Sequence, residues 1–335
     1  MSLARFLERL LQLVPVLLGV SVIVFVMITL TPGDPVEIMI GDQVVTPEQE
    51  AAMRRDLGLD RPVVERFFVF LGNAVQGDFG ESFYHRRPVI DVIAERLPAT
   101  IELSLVALLI ALATAIPLGV LAAIKKNSIL DRLATVGSLL GVSLPGFWFG
   151  ILLLMLFSVH MQILPVSGRI GYSSEIEPIT HLLLIDTLLR GRPDAFLDAL
   201  SHIILPAITL GLPMTAILMR VTRTSMLEVM RQDYVTFAEA KGLARHRILF
   251  RHALKNALIP TVSVAAIETG SLLGGNMIVE TVFGWPGLGR LVVESIFVRN
   301  YPLVQAAVLF YAVTYVMLNF VADILYTVLN PRVKL

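Results

Sequence analysis

Cysteine is absent from the chain. That excludes disulfides, thiolate nucleophiles and zinc or iron–sulfur centres built on cysteine, and it leaves the compartment open. Charge is sparse: Asp, Glu, Lys and Arg make up 16% of the 335 residues, against roughly 25% in soluble domains. The 27 basic and 27 acidic side chains cancel, so no global field gathers nucleic acid. No Gly-x-x-x-x-Gly-Lys-Ser/Thr sequence occurs, so the chain has no Walker-type phosphate cradle of its own. Six histidines (85, 160, 181, 202, 246 and 252) are scattered without metal-ligand spacing. Acidic pairs such as Glu48 and Glu50 read as solvated, without the buried pairing that acid–base chemistry needs. Internal repeats and low-complexity tracts are also missing. What is abundant is apolar surface, 56% of the residues, more than one soluble core of this size hides. The excess must face lipid.

Six long apolar runs carry that surface. A helix needs about 20 such residues to cross ~30 Å of hydrocarbon. The runs are Leu10 to Leu30, Leu103 to Ile124, Leu133 to Val159, the shorter Ile203 to Met219, Ala257 to Val279 with Glu268 inside it, and Val304 to Leu329 with Asn319 and Asp323 in its second half. They predict an all-α membrane protein with six transmembrane helices, and their continuity excludes a β-barrel. Gly137, Gly141, Pro145, Gly146 and Gly150 make the third run the one expected to bend. Arg5 and Arg9 before the first run invite a signal-peptide reading. The run is long for that, and Thr31-Pro32-Gly33-Asp34-Pro35 is no small-residue cleavage site.

Lys and Arg in the short loops set the orientation. Arg5 and Arg9, then Lys125, Lys126 and Arg132, then Arg220 to Lys255, then Arg332 and Lys334 fall on one side of a six-span chain, so both termini are expected in the cytoplasm. The chain divides into residues 1–32 (N-terminus and first span), 33–98 (an external loop) and 99–335 (a core of five spans). That core includes an external loop at 160–201 and a basic cytoplasmic loop at 220–256. In the first external loop, Thr46 as cap, Pro47 at the first helical position and Gln49 closing a capping box predict a short helix that Gly58 ends. His181 to Leu189 is too short to span and suits an interface.

The basic loop reads MLEVMRQDYVTFAEAKGLARHRILFRHALKNALIP from Met226 to Pro260. Helix-forming residues lead to Gly242, which suits a helix end. A second helix from about Ala244 sets Ile248, Leu249 and Leu254 among Arg245, Arg247, Arg251 and Lys255. Two readings follow: a knob of two short helices that docks in a partner's groove, or a basic amphipathic segment lying on anionic lipid. On residue physics alone the second ranks first.

The same segment resembles the cytoplasmic "EAA" loop of ABC importer permeases. Against the general pattern Ala238, Gly242 and Leu254 match, while Thr236, His252 and Lys255 stand where glutamate, isoleucine and proline are usual. Ala238-Glu239-Ala240-Lys241-Gly242 and Arg251-His252-Ala253-Leu254-Lys255-Asn256-Ala257-Leu258-Ile259-Pro260 match the peptide/nickel branch closely. Leu57-Gly58-Leu59-Asp60-Arg61-Pro62, Gly77-Asp78-Phe79-Gly80, Phe283-Gly284-Trp285-Pro286-Gly287-Leu288-Gly289-Arg290 and Asn330-Pro331-Arg332 extend the resemblance over the whole chain. Leu164-Pro165-Val166-Ser167-Gly168-Arg169 and the loop after it are more similar to the dipeptide than to the nickel or glutathione members.

The resemblance implies a type I ABC importer permease in a prokaryotic cytoplasmic membrane. It implies a heterodimer with a second permease, two cytoplasmic ATPases and an external substrate-binding protein. ATP and magnesium would sit on the ATPases, with no cofactor and no metal on this chain and no catalytic residue in it. Cargo would be dipeptides or oligopeptides, with nickel, haem or glutathione as same-branch alternatives and an ATP-independent channel or carrier as the alternative of another class. The ATPase-coupling residues would be Tyr234, Ala238, Glu239, Ala240, Lys241, Gly242, Leu243, Arg251 and Leu254. Glu268 and Asn276 are the candidates for lining a pore. Glu268, mid-span, either meets a peptide ammonium or bonds another helix. Asn319 and Asp323 share a helical face and suit a structural polar contact. Gly270, Gly274 and Gly275 suit close packing. The Gly284-Trp285-Pro286-Gly287 turn either contacts the binding protein or is simply a turn.

Overall fold

A computed structural model describes residues 3–30, 35–40, 45–56, 58–274 and 277–329 of the chain. Among these the elements are helical, and one lone antiparallel bridge pairs Glu81 with Pro88. In chain order they are α1 (Leu3–Leu30), α2 (Pro35–Ile40), α3 (Pro47–Asp56), α4 (Val63–Val75), α5 (Val89–Ile124), α6 (Ile129–Ser143) and α7 (Gly146–Leu153). A π-helical stretch, Leu154–His160, continues α7. Then come α8 (Leu183–Leu189), α9 (Pro193–Val229), α10 (Asp233–Ala240), the single turn α11 (Arg245–Arg247), a π-helical stretch Ile248–Ala253, α12 (Leu254–Gly274), α13 (Met277–Val282), α14 (Leu288–Phe297) and α15 (Tyr301–Leu329).

Three helices, Val89–Ile124, Pro193–Val229 and Tyr301–Ala322, are long and apolar enough to cross a bilayer. The third apolar run is not one straight helix. α6 and the α7 segment meet at 107° and make a fourth span if counted together. The cause is local: Pro145 disfavours helical backbone at the residue before it, and Leu144 is extended at φ −79°, ψ 132°. The fourth run is only the middle of the 37-residue α9, which keeps its helix through Pro206 and Pro213. The fifth is shared between α12 and α13, with Gly275 and Asn276 outside the described residues. So are Thr31 to Asp34, Leu57 and Asn330 to Leu335, and the side chains of Arg5, Arg9 and Asp323.

The chain forms two compact units, Met1–Pro98 with Gly287–Thr314, and Ala99–Pro286 with Tyr315–Leu335. In the first, the Phe25 ring of α1 meets Phe67 and Phe70 of α4 at centroid distances of 5.4 and 5.9 Å. Asn300 is buried and pins the segment before α5: its Nδ2 donates to Ser82 Oγ (2.6 Å), and its Oδ1 accepts from Phe83 N (3.2 Å). The predicted capping box is present at α3, where Thr46 N donates to Gln49 Oε1 (2.9 Å) and Gln49 N to Thr46 Oγ1 (3.3 Å). Gly58 follows in left-handed backbone, φ +63°.

The second unit is built on the crossing of α5 and α9. Along α5 a residue buried or small recurs every fourth position: Ala99, Leu103, Ala107, Ala111, Ala115, Gly119, Ala123. That spacing makes one ridge on a helix. A Cβ on Gly119 would lie 2.7 Å from the Met219 carbonyl oxygen, and one on Gly211 would lie 2.9 Å from that of Ala107. Backbone therefore touches backbone, which only glycine allows. Gly141 of α6 approaches Ala216, and Gly150 of α7 approaches Thr209, so α9 is gripped by small residues from three helices.

Candidate functional site

The loop flagged by the sequence forms a compact corner. Residues Asp233–Ala240 make α10, and its end is closed by backbone geometry. Gly242 N donates to Glu239 O (2.9 Å) and Leu243 N to Ala238 O (3.3 Å). This pair of bonds is the Schellman arrangement, and it needs the φ of +72° that Gly242 adopts. Ala238 and Val235 are buried against Ile248, with Leu243 over them, so one face of α10 is fixed to the next helix. The other face is open. Phe237 is 61% exposed, and Tyr234, Glu239, Ala240 and Lys241 are exposed as well. The Lys241 ammonium sits 4.4 Å from the Phe237 ring centroid, and Tyr234 Oη accepts from Asn256 Nδ2 at 2.9 Å.

The expected second short helix is not separate. Arg245 to Gly274 is helical without a break, through α11, the π-helical stretch and α12. The basic segment reads as a soluble helix and the apolar run as a span, but no breaker stands between them. Leu249, Ala253 and Ala257 bury this arm against Val120 and Ala123 of α5 and Met226 of α9, and Leu254 packs on the same cluster. Arg251 remains exposed. The corner is therefore one docked helix between two long ones.

Close by along α9, a pair that sequence reading did not find clamps the α5–α6 turn. Arg223 Nε donates to Asp131 Oδ1 (2.5 Å) and its Nη2 to Asp131 Oδ2 (3.0 Å). Asp131 also accepts from Asn127 N (2.9 Å), and Ser128 Oγ caps α6 by accepting from Asp131 N (3.3 Å). The arginine and aspartate lie 92 positions apart. Only the Ser-x-x-Asp capping signature was readable locally.

Within the same unit, a second polar cluster joins the 160–201 segment to α5. Glu102 accepts from Arg169 Nη2 (2.6 Å) and from Leu184 N (2.6 Å). Arg169 also donates to His181 O (2.9 Å), and its guanidinium lies 5.9 Å from the Trp285 ring centroid. Thr100 Oγ1 donates to the buried Glu280 (2.7 Å). Trp285 itself is buried and donates from Nε1 to Ala99 O (2.9 Å). It anchors the turn inside the protein and offers no free surface to another protein. In the 160–201 segment Asp186 is buried. Burial alone would raise its carboxyl, but bonds from Thr180 Oγ1, Thr180 N and Ile179 N hold it below the ordinary carboxylate range.

Of the pore candidates, Glu268 is half-buried on α12, and its carboxylate makes no hydrogen bond or ion pair with another described residue. Asn276 lies outside the described residues. Gly270 packs under Tyr315, and Asn319 donates to its own helix at Tyr315 O (3.0 Å).

Long apolar helices gripped through glycines define a multi-pass membrane protein. The family model described as "Binding-protein-dependent transport system inner membrane component" matches residues 115–335, and "Binding-prot-dependent transport system membrane comp, N-term" matches residues 3–104. The chain belongs to this family of inner-membrane transport components. The Di/tripeptide transport system permease protein DppB of Pseudomonas aeruginosa is 46% identical over 327 residues, 98% of this chain and 97% of that one. The Dipeptide transport system permease protein DppB of Escherichia coli K12 is 42% identical over 331 residues, 98% of each. The Glutathione transport system permease protein GsiC of the same strain is 38% identical over 331 residues, 98% of this chain and 97% of that one. Among solved structures, a chain of the inward-facing MetNI methionine ABC transporter shares the fold, with a TM-score of 0.51 at 16% identity. The match covers 71% of this chain and 96% of that one.

Proposed function

We propose that this chain is one of the two permease subunits of an ATP-driven importer of dipeptides and short oligopeptides. The observation that carries the reading is α10: a short helix whose inner face is locked by Ala238, Val235 and Ile248, and whose outer face presents Phe237 and Tyr234 with the charge of Lys241 over the ring. An exposed aromatic ringed by polar groups is the kind of anchor a partner's pocket takes. The relatives' names supply the cargo, and the 46% and 42% matches to dipeptide permeases stand above the 38% match to a glutathione permease.

In this reading the six apolar runs are six spans with both termini in the cytoplasm. α10 and the residues around it, Tyr234 to Leu243 with Arg251 and Leu254, seat in a cytoplasmic ATPase. A second permease pairs with this one, and an external binding protein delivers peptide. ATP with magnesium on the two ATPases supplies the free energy. This chain's part is mechanical. Movement of α10 reaches α12 through the unbroken Arg245–Gly274 helix, and reaches α5 and α9 through Leu249, Ala253 and Ala257. In this reading Glu268, half-buried on α12, lines the path and meets a peptide ammonium.

The test is ATPase turnover of the complex co-purified with its neighbouring subunits in nanodiscs, with binding protein and a dipeptide added. The wild type, Phe237→Asp and Gly242→Asp are compared. Wild-type turnover should rise with peptide, and both variants should lose the ATPase on purification. A Phe237→Asp complex that stays intact and fully stimulated would move the loop to lipid binding. A wild type that brings down no ATPase would replace the importer reading with a channel or carrier.

A further inference from the structure

In the Met1–Pro98 with Gly287–Thr314 unit, two cavities follow one another along α1. The first, of about 380 Å3, is lined by Phe25, Val69, Phe70 and Phe79 together with Arg61, Arg66, Asn73 and Asp78. The second, of about 430 Å3, lies further back along α1 at Val14, Leu17, Leu18 and Ser21. It is walled by Leu71, Ala74 and Val75 of α4 and Leu309, Phe310 and Val313 of α15. Phe79 lines both. The first sets two arginines, an asparagine and an aspartate among apolar walls, and the second is almost wholly apolar.

The helix between them has an unusual exposure. No residue of α4 is buried, and Val64, Phe68 and Val75 are largely exposed. Positions 64, 68 and 75 share one face of a helix. An amphipathic helix with such a face lies at a membrane surface, its apolar side among acyl chains. Arg66, Val69, Phe70 and Asn73 form the opposite face, which lines the first cavity and puts the guanidinium on the side of α4 turned away from the acyl chains. Among the described residues Arg66 has no acidic partner, and Arg61 holds only the exposed Glu65, at 3.3 Å.

From this arrangement we infer that the α1–α4–α15 face binds one glycerophospholipid molecule. Its phosphate sits at Arg66 and Arg61, and an acyl chain lies in the groove between α1, α4 and α15. Guanidinium forks match phosphate oxygens in geometry and charge. A groove of leucine, valine and phenylalanine matches a hydrocarbon chain and no polar ligand. The order along α1, the arginine-bearing cavity first and the apolar groove behind it, is the order of headgroup and tail in one amphiphile. Asp78, whose carboxylate accepts from Gly80 N (2.9 Å), and Asn73 border the headgroup cavity and face the group that the phosphate carries. The inference requires only that the chain lies in a membrane and is independent of the cargo and of the ATPases.

The test is photolabelling of the complex in nanodiscs that contain a phosphatidylglycerol with a diazirine in one acyl chain. Labels are then mapped by proteolysis and mass spectrometry. Label should concentrate on Leu71–Val75 and Leu309–Val313, and it should fall at least fivefold in the Arg61→Gln/Arg66→Gln double variant. Ala74→Phe, which fills the groove and leaves the arginines, should lower it equally. Labelling of the exposed leucines on α6 reports ordinary surrounding lipid and should not change in either variant. Label on the two segments no higher than on α6, or unchanged in the double variant, would overturn the site. So would its removal by excess inorganic phosphate, because a free phosphate would then be the ligand.

Discussion

The Asp131–Arg223 pair shows how much of this molecule rests on single contacts. The aspartate side chain is 6% exposed and the arginine 25%, so neither charge is freely solvated. Removing one partner of a buried pair leaves the other uncompensated, at about 3–5 kcal/mol when both are fully buried. The partial exposure of Arg223 lets water recover some of that. Asp131→Asn is therefore expected to cost about 2 kcal/mol, seen as a lowered midpoint of thermal unfolding in detergent. Arg223→Gln added to it should cost less than its own single loss, because the two act as one unit. Additive losses in that double-mutant cycle would show that the two side chains do not interact. Gly242 is the contrasting case. A Cβ there meets nothing within 4 Å. Its requirement is purely the left-handed backbone, and it could be read from the sequence alone.

Among the elements, the α5–α9 crossing is set by side-chain size. Gly119→Ala and Gly211→Ala push a methyl group into a carbonyl oxygen of the facing helix. Each should destabilise by about 1–3 kcal/mol. Gly137→Ala, on α6 with nothing within 4 Å of the added atom, should be neutral or stabilise by up to about 1 kcal/mol. Thermal melts of the three variants side by side decide it, and equal shifts would rule out the packing account. The crossing was only half legible beforehand. α5 is apolar all round, so hydrophobic periodicity points to no face, while the recurrence of small residues every four positions does. Punctuation was the most readable layer: the Thr46 capping box, the Gly58 and Gly242 helix ends and the break at Pro145 each follow from one or two neighbouring residues. Glu102 with Arg169 and Trp285 with Ala99 were not readable, since each joins positions 67 or more apart. The merger of α11 with α12 was missed because a change from basic to apolar composition is a change of solvent, which a helix crosses without interruption.

For the whole molecule, orientation is the property to test next, and the missing cysteines make it tractable. Single thiols introduced as Ser174→Cys and Lys126→Cys have no native background. With both termini cytoplasmic, a membrane-impermeant maleimide should label Ser174→Cys in intact cells and Lys126→Cys only after permeabilisation. The reverse pattern would invert the proposed topology. Whichever side α10 occupies, its connection to α12 has a geometric result. From Ile248 to Glu268 is twenty residues of helix, about 30 Å at 1.5 Å per residue. For an unbent helix, a tilt of about 10° about Ile248 swings Glu268 about 5 Å sideways, roughly the width of a peptide backbone. A small angular change at the corner thus becomes, by leverage, a displacement large enough to open or close a path for one extended chain.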